Sequence, residues 1–425
     1  MAVGFLLVPD ARSRLGPYLA LFLAGSALSL LAARSLSASG PGFILACGTL
    51  FRLTLLFRPA DLSDDIFRYL WDGRVARAAL SPYAYAPNDP ALATISPSLR
   101  DRLAHRDIRG VYPPVAQAVF RHLGTEANAI PLKAFFAAAD LSVVALIAAS
   151  GVPGAAFGAA LYAFHPLPIT ETAGQGHLDA LGVALLLCAM AFLARGGRVV
   201  SGAALASSVL TKYVPLAALL VFVRRGRWRL AFGFALTVAA LWLAASRGGT
   251  SPAGGVGQYA TRWNFNSPAY MSAVGLMEAS RAPDRAKAAL LDWKEKHGHP
   301  DWTLRAFPLF YSAFFARVLL GALLFAALIV IAVRVRDFEA AVFASLAALL
   351  LLSPTIHPWY VLWVLPFAVK KREPAFLFLS FAVPLSYALL YPVPGVSGQL
   401  VLAAEFGPFV LLLAWSLLRT RPAMV

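Results

Sequence analysis

The sequence predicts an all-α integral membrane protein, and three features of the chain support that fold class. Of its 425 residues, 59% are hydrophobic and only 14% are charged, whereas soluble domains carry about 25% charged residues. Apolar runs recur along the chain at close to the roughly 20 residues that a helix needs to cross the hydrocarbon core. These runs are continuous rather than alternating, which excludes a membrane barrel and leaves α-helices to satisfy the backbone in lipid.

We predict a single polytopic membrane domain over residues 1–425, with about eleven transmembrane helices by the length criterion. A further apolar segment, 199–223, is interrupted by Thr211-Lys212-Tyr213-Val214-Pro215. Proline removes a helical hydrogen bond and a lysine within the membrane is costly, so we expect a re-entrant or broken segment there that faces a polar cavity. An ordinary crossing is the competing topology. The predicted spans are 16–34, 41–57, 131–150, 154–170, 178–195, 229–246, 307–333, 338–353, 357–370, 374–391 and 398–418.

The formal net charge of +16 reflects topology rather than nucleic-acid binding. Basic residues cluster in short loops such as Arg224-Arg225 and Lys370-Lys371-Arg372, and such loops face the cytoplasm. Two long hydrophilic loops, 58–130 and 247–306, are then extracytoplasmic, and we expect helices lying at the membrane interface within them. The short turns that carry the remaining polar groups fall on the same side.

The first loop contains the most promising acidic group, Asp64-Asp65, followed by Arg68 and Asp72. A short helix would place Asp65, Arg68 and Asp72 on one face, with Ile66, Leu70 and Gly73 on another. Ser63 is a candidate N-cap, and acidic residues suit the first turn of a helix, so a capping role is the alternative to chemistry.

Other candidate ligand-binding residues lie in the first loop and at the mouths of spans. Tyr83 belongs to an aromatic strip that could pack on a sugar or anchor at the interface. Glu171, His177 and Asp179 form a polar turn, and His357 with Trp359 forms another. Lys212 needs an anion within the membrane, either a lipid phosphate or a protein carboxylate or carbonyl. Asp140, inside an apparent span, either lines the cavity or bonds to neighbouring helices.

Metal and nucleotide motifs are lacking in the sequence. No HExxH, Cys/His cluster or phosphate-binding loop is present, and the segment His297 to Asp301 is interpreted as a solvated loop. We therefore predict no metal site and no cofactor, although the carboxylates leave room for a divalent cation.

The chain resembles the polytopic C-type (GT-C) glycosyltransferases, especially the bacterial group similar to polyprenyl-phosphate-mannose-dependent mannosyltransferases. The likeness covers about residues 40 to 415. Each motif is weak by itself, but their order is fairly specific. The motifs, in order, are Ser63–Arg74, Ser81–Tyr83, Gly176–Gly182, Lys212–Pro215 and Ser353–Tyr360.

The resemblance implies a hexosyltransferase that uses a polyprenyl-phosphate-sugar donor, with mannose the expected sugar, and a glycan or lipid acceptor. It implies a bacterial plasma-membrane protein with its active site on the extracytoplasmic face and a catalytic aspartate in the first loop. Eukaryotic relatives carry Asp-x-Asp there, whereas this chain has Ser63-Asp64-Asp65. The catalytic base is therefore either Asp64 or Asp65, and Asp65 fits the spacing to Ser81–Tyr83 better. The competing interpretations are a transporter or flippase of a lipid-linked sugar and a non-catalytic envelope scaffold.

Overall fold

The structure is a computed structural model that describes residues 2–6, 8, 10–124, 128–246, 249–298 and 309–419. Within these ranges the chain is helical, without a β-strand, and its one isolated bridge joins Phe265 and Thr355. The predicted all-α class is confirmed. The helices of seven or more residues are α1 (Leu15–Leu36), α2 (Pro41–Leu56), α3 (Asp65–Arg77), α4 (Pro114–Leu123), α5 (Ile130–Ala148), α6 (Ala155–Phe164), α7 (Asp179–Ala194), α8 (Arg198–Val209), α9 (Leu219–Ala245), α10 (Val256–Arg262), α11 (Pro268–Ser280), α12 (Ala282–His297), α13 (Ser312–Arg334), α14 (Phe338–Leu352), α15 (Leu365–Lys371), α16 (Pro374–Ala382) and α17 (Gly398–Arg419).

Five helical segments in the described ranges are long and apolar enough to cross a membrane, and a bent pair of helices raises that number to six. The bent pair joins Pro166–Gly174 to α7 at an angle of 118°. The predicted number of about eleven crossings is therefore not confirmed. Helices occupy the predicted positions, but several are shorter than a membrane span. The five long segments are Leu15–Ser39, Ile130–Ala148, Val214–Ala245, Ser312–Arg334 and Gly398–Arg419.

Prolines explain why two predicted spans are not continuous α-helices. The predicted span 357–370 is a 3₁₀ turn, Pro358–Trp363, followed by the seven-residue helix α15. The predicted span 154–170 is interrupted after Phe164, where His165 precedes Pro166. A proline lacks the amide hydrogen that the helical ladder needs and disfavours helical geometry in the residue before it. In both segments the backbone is therefore irregular next to the polar turns.

The interrupted segment around Lys212 has the break that the sequence predicts. Helix α8 ends at Val209, a 3₁₀ turn covers Val214–Ala218, and α9 bends at Arg227, whose φ is 55° and ψ −155°. A Cβ added to Gly202 would lie 2.1 Å from the carbonyl oxygen of Leu230, so α8 and α9 pack backbone against backbone near the bend. The start of the segment thus lies beside the residues just after the bend, as a re-entrant pair of half-helices requires. Its depth in a membrane stays a prediction.

The first loop is a packed layer rather than an open excursion. Ile66 and Leu70 are buried on one face of α3, as predicted, and Tyr69 stacks on Phe120 of α4 with ring centroids 4.4 Å apart. A Cβ on Gly73 would meet the carbonyl oxygen of Phe120 at 2.2 Å, so only glycine allows this crossing. The loop therefore holds its carboxylates at fixed positions.

Asp140 proves to be a helix-to-helix contact. Its carboxylate forms a fully buried ion pair with Arg52 of α2 at 2.5 Å and accepts a hydrogen bond from the Tyr162 hydroxyl at 2.7 Å. An ion pair with further hydrogen bonds is the usual way to place charges in an apolar interior. Of the two sequence interpretations of Asp140, bonding to neighbouring helices fits the structure.

Candidate functional site

A cavity of about 360 Å³ lies where the two long loops meet the polar turns. Six of the candidate residues predicted from the sequence line it, and they come from widely separated parts of the chain. Because groups so distant in sequence converge on one cavity, it is the candidate active site. The six are Asp64, Asp65, Arg68, Lys212, His357 and Trp359.

Asp65 is the carboxylate with the most suggestive surroundings. It is the first residue of α3, and its side chain is 35% exposed and 3.6 Å from Nδ1 of the fully buried His177. The other ring nitrogen of His177 lies 3.5 Å from the buried carboxylate of Glu171. Burial opposes ionisation of Asp65, but the His177 imidazole beside it, together with more distant basic groups, outweighs burial and lowers the pKa of Asp65 below the ordinary value of 3.8. Asp65 is therefore held as a carboxylate facing the cavity.

Glu171 is fixed from the side away from His177. It lies in a π-helical turn, Ile169–Gly174, and its two carboxylate oxygens accept from the Tyr387 hydroxyl at 3.0 and 2.9 Å. Such wide turns occur most often at functional sites, because they redirect a side chain that a regular helix would place elsewhere. The line Asp65, His177, Glu171 thus runs from the cavity into the protein interior.

Four aromatic rings form a continuous stack beside these groups. His177 lies on Trp359 with centroids 3.7 Å apart, Trp359 lies on His357 at 4.4 Å, and His357 lies on Phe265 at 4.6 Å. Phe265 is held by two backbone hydrogen bonds, from its amide to Pro354 and from Ile356 to its carbonyl. The second long loop therefore fixes the orientation of both histidines.

Lys212, at the break between α8 and α9, has a protein carboxylate as its partner. Its ammonium group donates to both oxygens of Asp179 at 2.8 and 2.9 Å, and the Trp363 indole donates to Asp179 at 2.6 Å. The ammonium also lies 4.4 Å from the ring centroid of Tyr360. Because Lys212 also lines the cavity, its charge is both positioned by Asp179 and available to a ligand.

Arg68 is positioned in the same way by a buried carboxylate. Its Nε donates to Asp72 at 2.7 Å, and the second oxygen of Asp72 accepts from Gln117 at 2.7 Å. The predicted shared face of Asp65, Arg68 and Asp72 is confirmed for the Arg68–Asp72 pair. Asp72 itself is fully buried and supports Arg68 from behind.

Asp64 differs from its neighbour in its partner. It is half-buried at the edge of the same cavity, and its carboxylate pairs with Arg12 at 2.6 Å. Ser63 is not the N-cap that the sequence suggested: Asp64 holds that position without a side-chain capping hydrogen bond, and the Ser63 hydroxyl accepts from the Asp65 amide at 3.3 Å. Asp64 thus binds the N-terminal segment to the loop, whereas Asp65 faces the imidazole.

The structure places four predicted site residues behind the cavity wall rather than in it. Asp72, His177 and Asp179 are fully buried partners of groups that line it. Tyr83 is also buried, and its hydroxyl donates to the Tyr112 carbonyl at 3.0 Å, which stiffens the first loop.

Aromatic side chains that sequence reasoning did not select complete the cavity wall. Tyr112 of the first loop lines the cavity together with Tyr259 and Trp263 of the second loop. The Tyr259 and Tyr360 hydroxyls hydrogen-bond at 2.5 Å, and His105 lies 4.4 Å from Trp263 between ring centroids. Their shared aromatic character was the available signal, but no motif set them apart from interfacial anchors.

A metal centre finds no support among the described residues, where no group of three or more His, Cys, Asp or Glu side chains could hold an ion. His297 bonds to its own helix, through the Trp293 carbonyl at 2.9 Å. His299 and Asp301 lie outside the described residues.

The fold and cavity define a helical membrane protein with a carboxylate-containing site between its spans and loops. Comparison with protein families identifies its kind: the pattern of glycosyltransferase family 87 matches residues 111–354. The chain belongs to this family and is a polytopic glycosyltransferase of the C type. The matched range contains His177, Asp179 and Lys212, whereas Asp65 precedes it and His357 follows it. No curated protein and no solved structure matched the chain.

Proposed function

We propose that the protein transfers a hexose, with mannose as the first candidate, from a polyprenyl-phosphate donor to a hydroxyl of a glycan or lipid acceptor. The reaction takes place at the extracytoplasmic face of a bacterial plasma membrane. The observation that supports this best is Asp65, an ionised carboxylate held by a buried histidine in a cavity that also contains Arg68 and Lys212.

In the proposed step Asp65 is the general base. It takes the proton of the acceptor hydroxyl while the acceptor oxygen forms a bond to the anomeric carbon of the sugar. The bond from that carbon to the phosphate oxygen breaks on the opposite side, so the configuration inverts and polyprenyl phosphate leaves. A carboxylate with a lowered pKa is a weak base at rest, but it is always ionised at neutral pH and close to the reacting proton.

Arg68 and Lys212 hold the phosphate in this scheme. Each is paired with a buried aspartate through the bonds described above, which fixes the position of the cation without removing its remaining N–H donors. Preorganised cations stabilise the charge that develops on the leaving phosphate. Tyr360 and Trp263 supply aromatic surface on which a sugar ring can pack, whereas the two faces of Trp359 are covered by His177 and His357.

His177 positions the base. Its two ring nitrogens lie 3.6 Å from the Asp65 carboxyl group and 3.5 Å from the Glu171 carboxyl group, and stacking on Trp359 fixes the plane of the ring. Its expected effect on the reaction therefore acts through Asp65 rather than through contact with the donor phosphate.

The test is transfer of radiolabelled mannose from polyprenyl-phosphate-mannose to endogenous acceptors, in membranes with equal amounts of each variant. Asp65→Asn is expected to lower the rate by about 100-fold or more, the usual contribution of a general base. Asp64→Asn, the matched control, is expected to stay within about threefold, because its ion pair is exposed at the rim.

Near-normal transfer by Asp65→Asn would overturn the proposed base. If membranes with and without the protein label acceptors equally, the experiment is repeated with polyprenyl-phosphate-glucose. Failure with both donors, together with movement of the intact donor across the bilayer, would favour the transporter interpretation instead.

A further inference from the structure

A second cavity, of about 430 Å³, lies on the opposite face of α3 from the candidate active site. Asp65 and Arg68 point to the first cavity, whereas Ile66, Phe67 and Leu70 line the second. The rest of the lining of this second cavity is rich in cationic side chains, and its described lining residues include no carboxylate. We call it the basic cavity; its cationic side chains are Arg58, Arg74, Arg102 and Lys133.

The basic cavity lies where apolar helices give way to the polar loop. Leu56 and Phe57, at the end of α2, form one wall, and Ile130, the first residue of the span α5, forms another. Phe57 is 71% exposed, which is expected of a large apolar side chain that faces lipid rather than water. The cavity therefore combines apolar side chains at the start of a candidate membrane span with several cationic side chains.

Two of the cations are buried, and in the described part of the chain only Arg58 pairs with a carboxylate. Lys133 is 2% exposed, and its ammonium donates to the carbonyl oxygens of Leu55 and Arg58 at 3.3 and 2.6 Å. Arg58 pairs with Asp61 at 2.6 Å, but its buried Nε has no hydrogen-bond partner. Burying charge is costly unless an opposite charge and hydrogen bonds compensate it. Among the described residues, this group of cations has more positive than negative charge.

Arg102 contributes an exposed guanidinium over the same space. Its central carbon lies 3.7 Å from the ring centroid of Phe67, which orients the group by a cation–π contact and leaves its N–H donors free to bind an anion. Guanidinium groups present paired donors that match the oxygens of a phosphate. The rim of the cavity is thus suited to a phosphate rather than to an uncharged head group.

We propose that the basic cavity binds the phosphate head group of an anionic membrane phospholipid, with Lys133, Arg58 and Arg102 around the phosphate and the acyl chains along Leu56, Phe57 and Ile130. This site is separate from the donor site and does not depend on sugar transfer. A bound lipid contacts Ile66 and Leu70, the apolar face of the helix that carries Asp65. Occupancy is therefore expected to stabilise α3 against local unfolding.

The test measures binding of phosphatidylglycerol to the purified full chain in neutral detergent, from the shift of the thermal unfolding midpoint as lipid is titrated. Phosphatidylcholine, whose phosphate is neutralised by its own cation, and inorganic phosphate are titrated in parallel. Loss of one basic contact to an anionic lipid corresponds to roughly fivefold weaker binding. We expect this loss for Arg102→Gln and, independently, for Lys133→Gln.

Arg121→Gln is the matched control, because Arg121 is exposed on the same loop, carries the same charge and lines neither cavity. It should bind phosphatidylglycerol like the wild type, and so should Asp65→Asn, so that failure of the proposed transfer reaction leaves this test intact. Since Arg102 is exposed, its variant folds even if Lys133→Gln does not.

Stabilisation by phosphatidylglycerol over phosphatidylcholine, lost in Arg102→Gln but not in Arg121→Gln, would support the proposal. Equal binding by all variants would overturn it. If inorganic phosphate alone gives the same shift with the same dependence on Arg102, the site binds free phosphate and the lipid assignment is wrong.

Discussion

The substitution Asp179→Asn should destabilise the protein by leaving Lys212 without its carboxylate. Asp179 is fully buried in the first turn of α7 and accepts two hydrogen bonds from Lys212 and one from Trp363. Removing one partner of a buried ion pair costs about 3–5 kcal/mol. Lys212 is 16% exposed at its side chain, and an asparagine still accepts one hydrogen bond, so we expect about 3 kcal/mol.

The assay is unfolding of purified protein in mixed micelles, arranged as a double-mutant cycle with Lys212→Met. Removing both charges leaves no unpaired ion, so the double variant should be less destabilised than the sum of the single variants by about 2 kcal/mol. Purely additive losses would refute the reasoning, because they would show that the two side chains do not stabilise each other. Transfer activity of the double variant should remain low, since Lys212 is proposed to hold the phosphate.

Two further predictions follow from close contacts in the site. Gly182→Ala should destabilise the protein by about 1–3 kcal/mol in the same unfolding assay, because the added Cβ would lie 2.3 Å from the buried Trp363 ring. Gly257 has open space around it, so the control Gly257→Ala should be within about 1 kcal/mol of wild type. The pKa of Asp65 is lower in the folded protein than its ordinary value of 3.8, so the ionised carboxylate stabilises the fold at pH values above 3.8. That stabilisation is lost as the pH falls through the lower pKa of the folded state. The difference in unfolding midpoint between wild type and Asp65→Asn should stay constant from about pH 6 to 8 and shrink only in stronger acid. A decline already near pH 6 would contradict the lowered pKa, which rests on the His177 imidazole 3.6 Å from the carboxylate.

The sequence predicted the positions of helices better than it predicted the crossings. Hydrophobic length placed α1, α5 and α13 within a few residues of their observed ends. Residues 307 and 308 of the predicted span 307–333 lie outside the described residues. It overestimated the length of α15, because apolar composition continues through Pro358–Trp363 whereas the regular backbone does not. Apolar composition shows which segments can lie in an apolar environment. Whether such a segment is one continuous helix depends on its backbone hydrogen bonds, which proline interrupts.

Within the candidate site, the sequence indicated the polar turns but not how their side chains pair. It left Lys212 between a lipid phosphate and a protein partner, and the structure supplies Asp179. Phe265 was missed because its importance depends on stacking against His357, from which helices α11 to α14 separate it in the sequence. Long-range stacking of this kind has no local periodicity to reveal it.

The sequence by itself determined the helical class, the break at Lys212 and the residue types available for chemistry, because apolar runs and prolines act on the backbone within a few residues of themselves. Only the tertiary structure decided that Asp65 faces a buried histidine while Asp64 binds Arg12 at the rim. Two adjacent carboxylates are chemically the same in a sequence. Their difference arises from the direction in which α3 begins and from which distant groups the packing brings to each, and these depend on the whole fold.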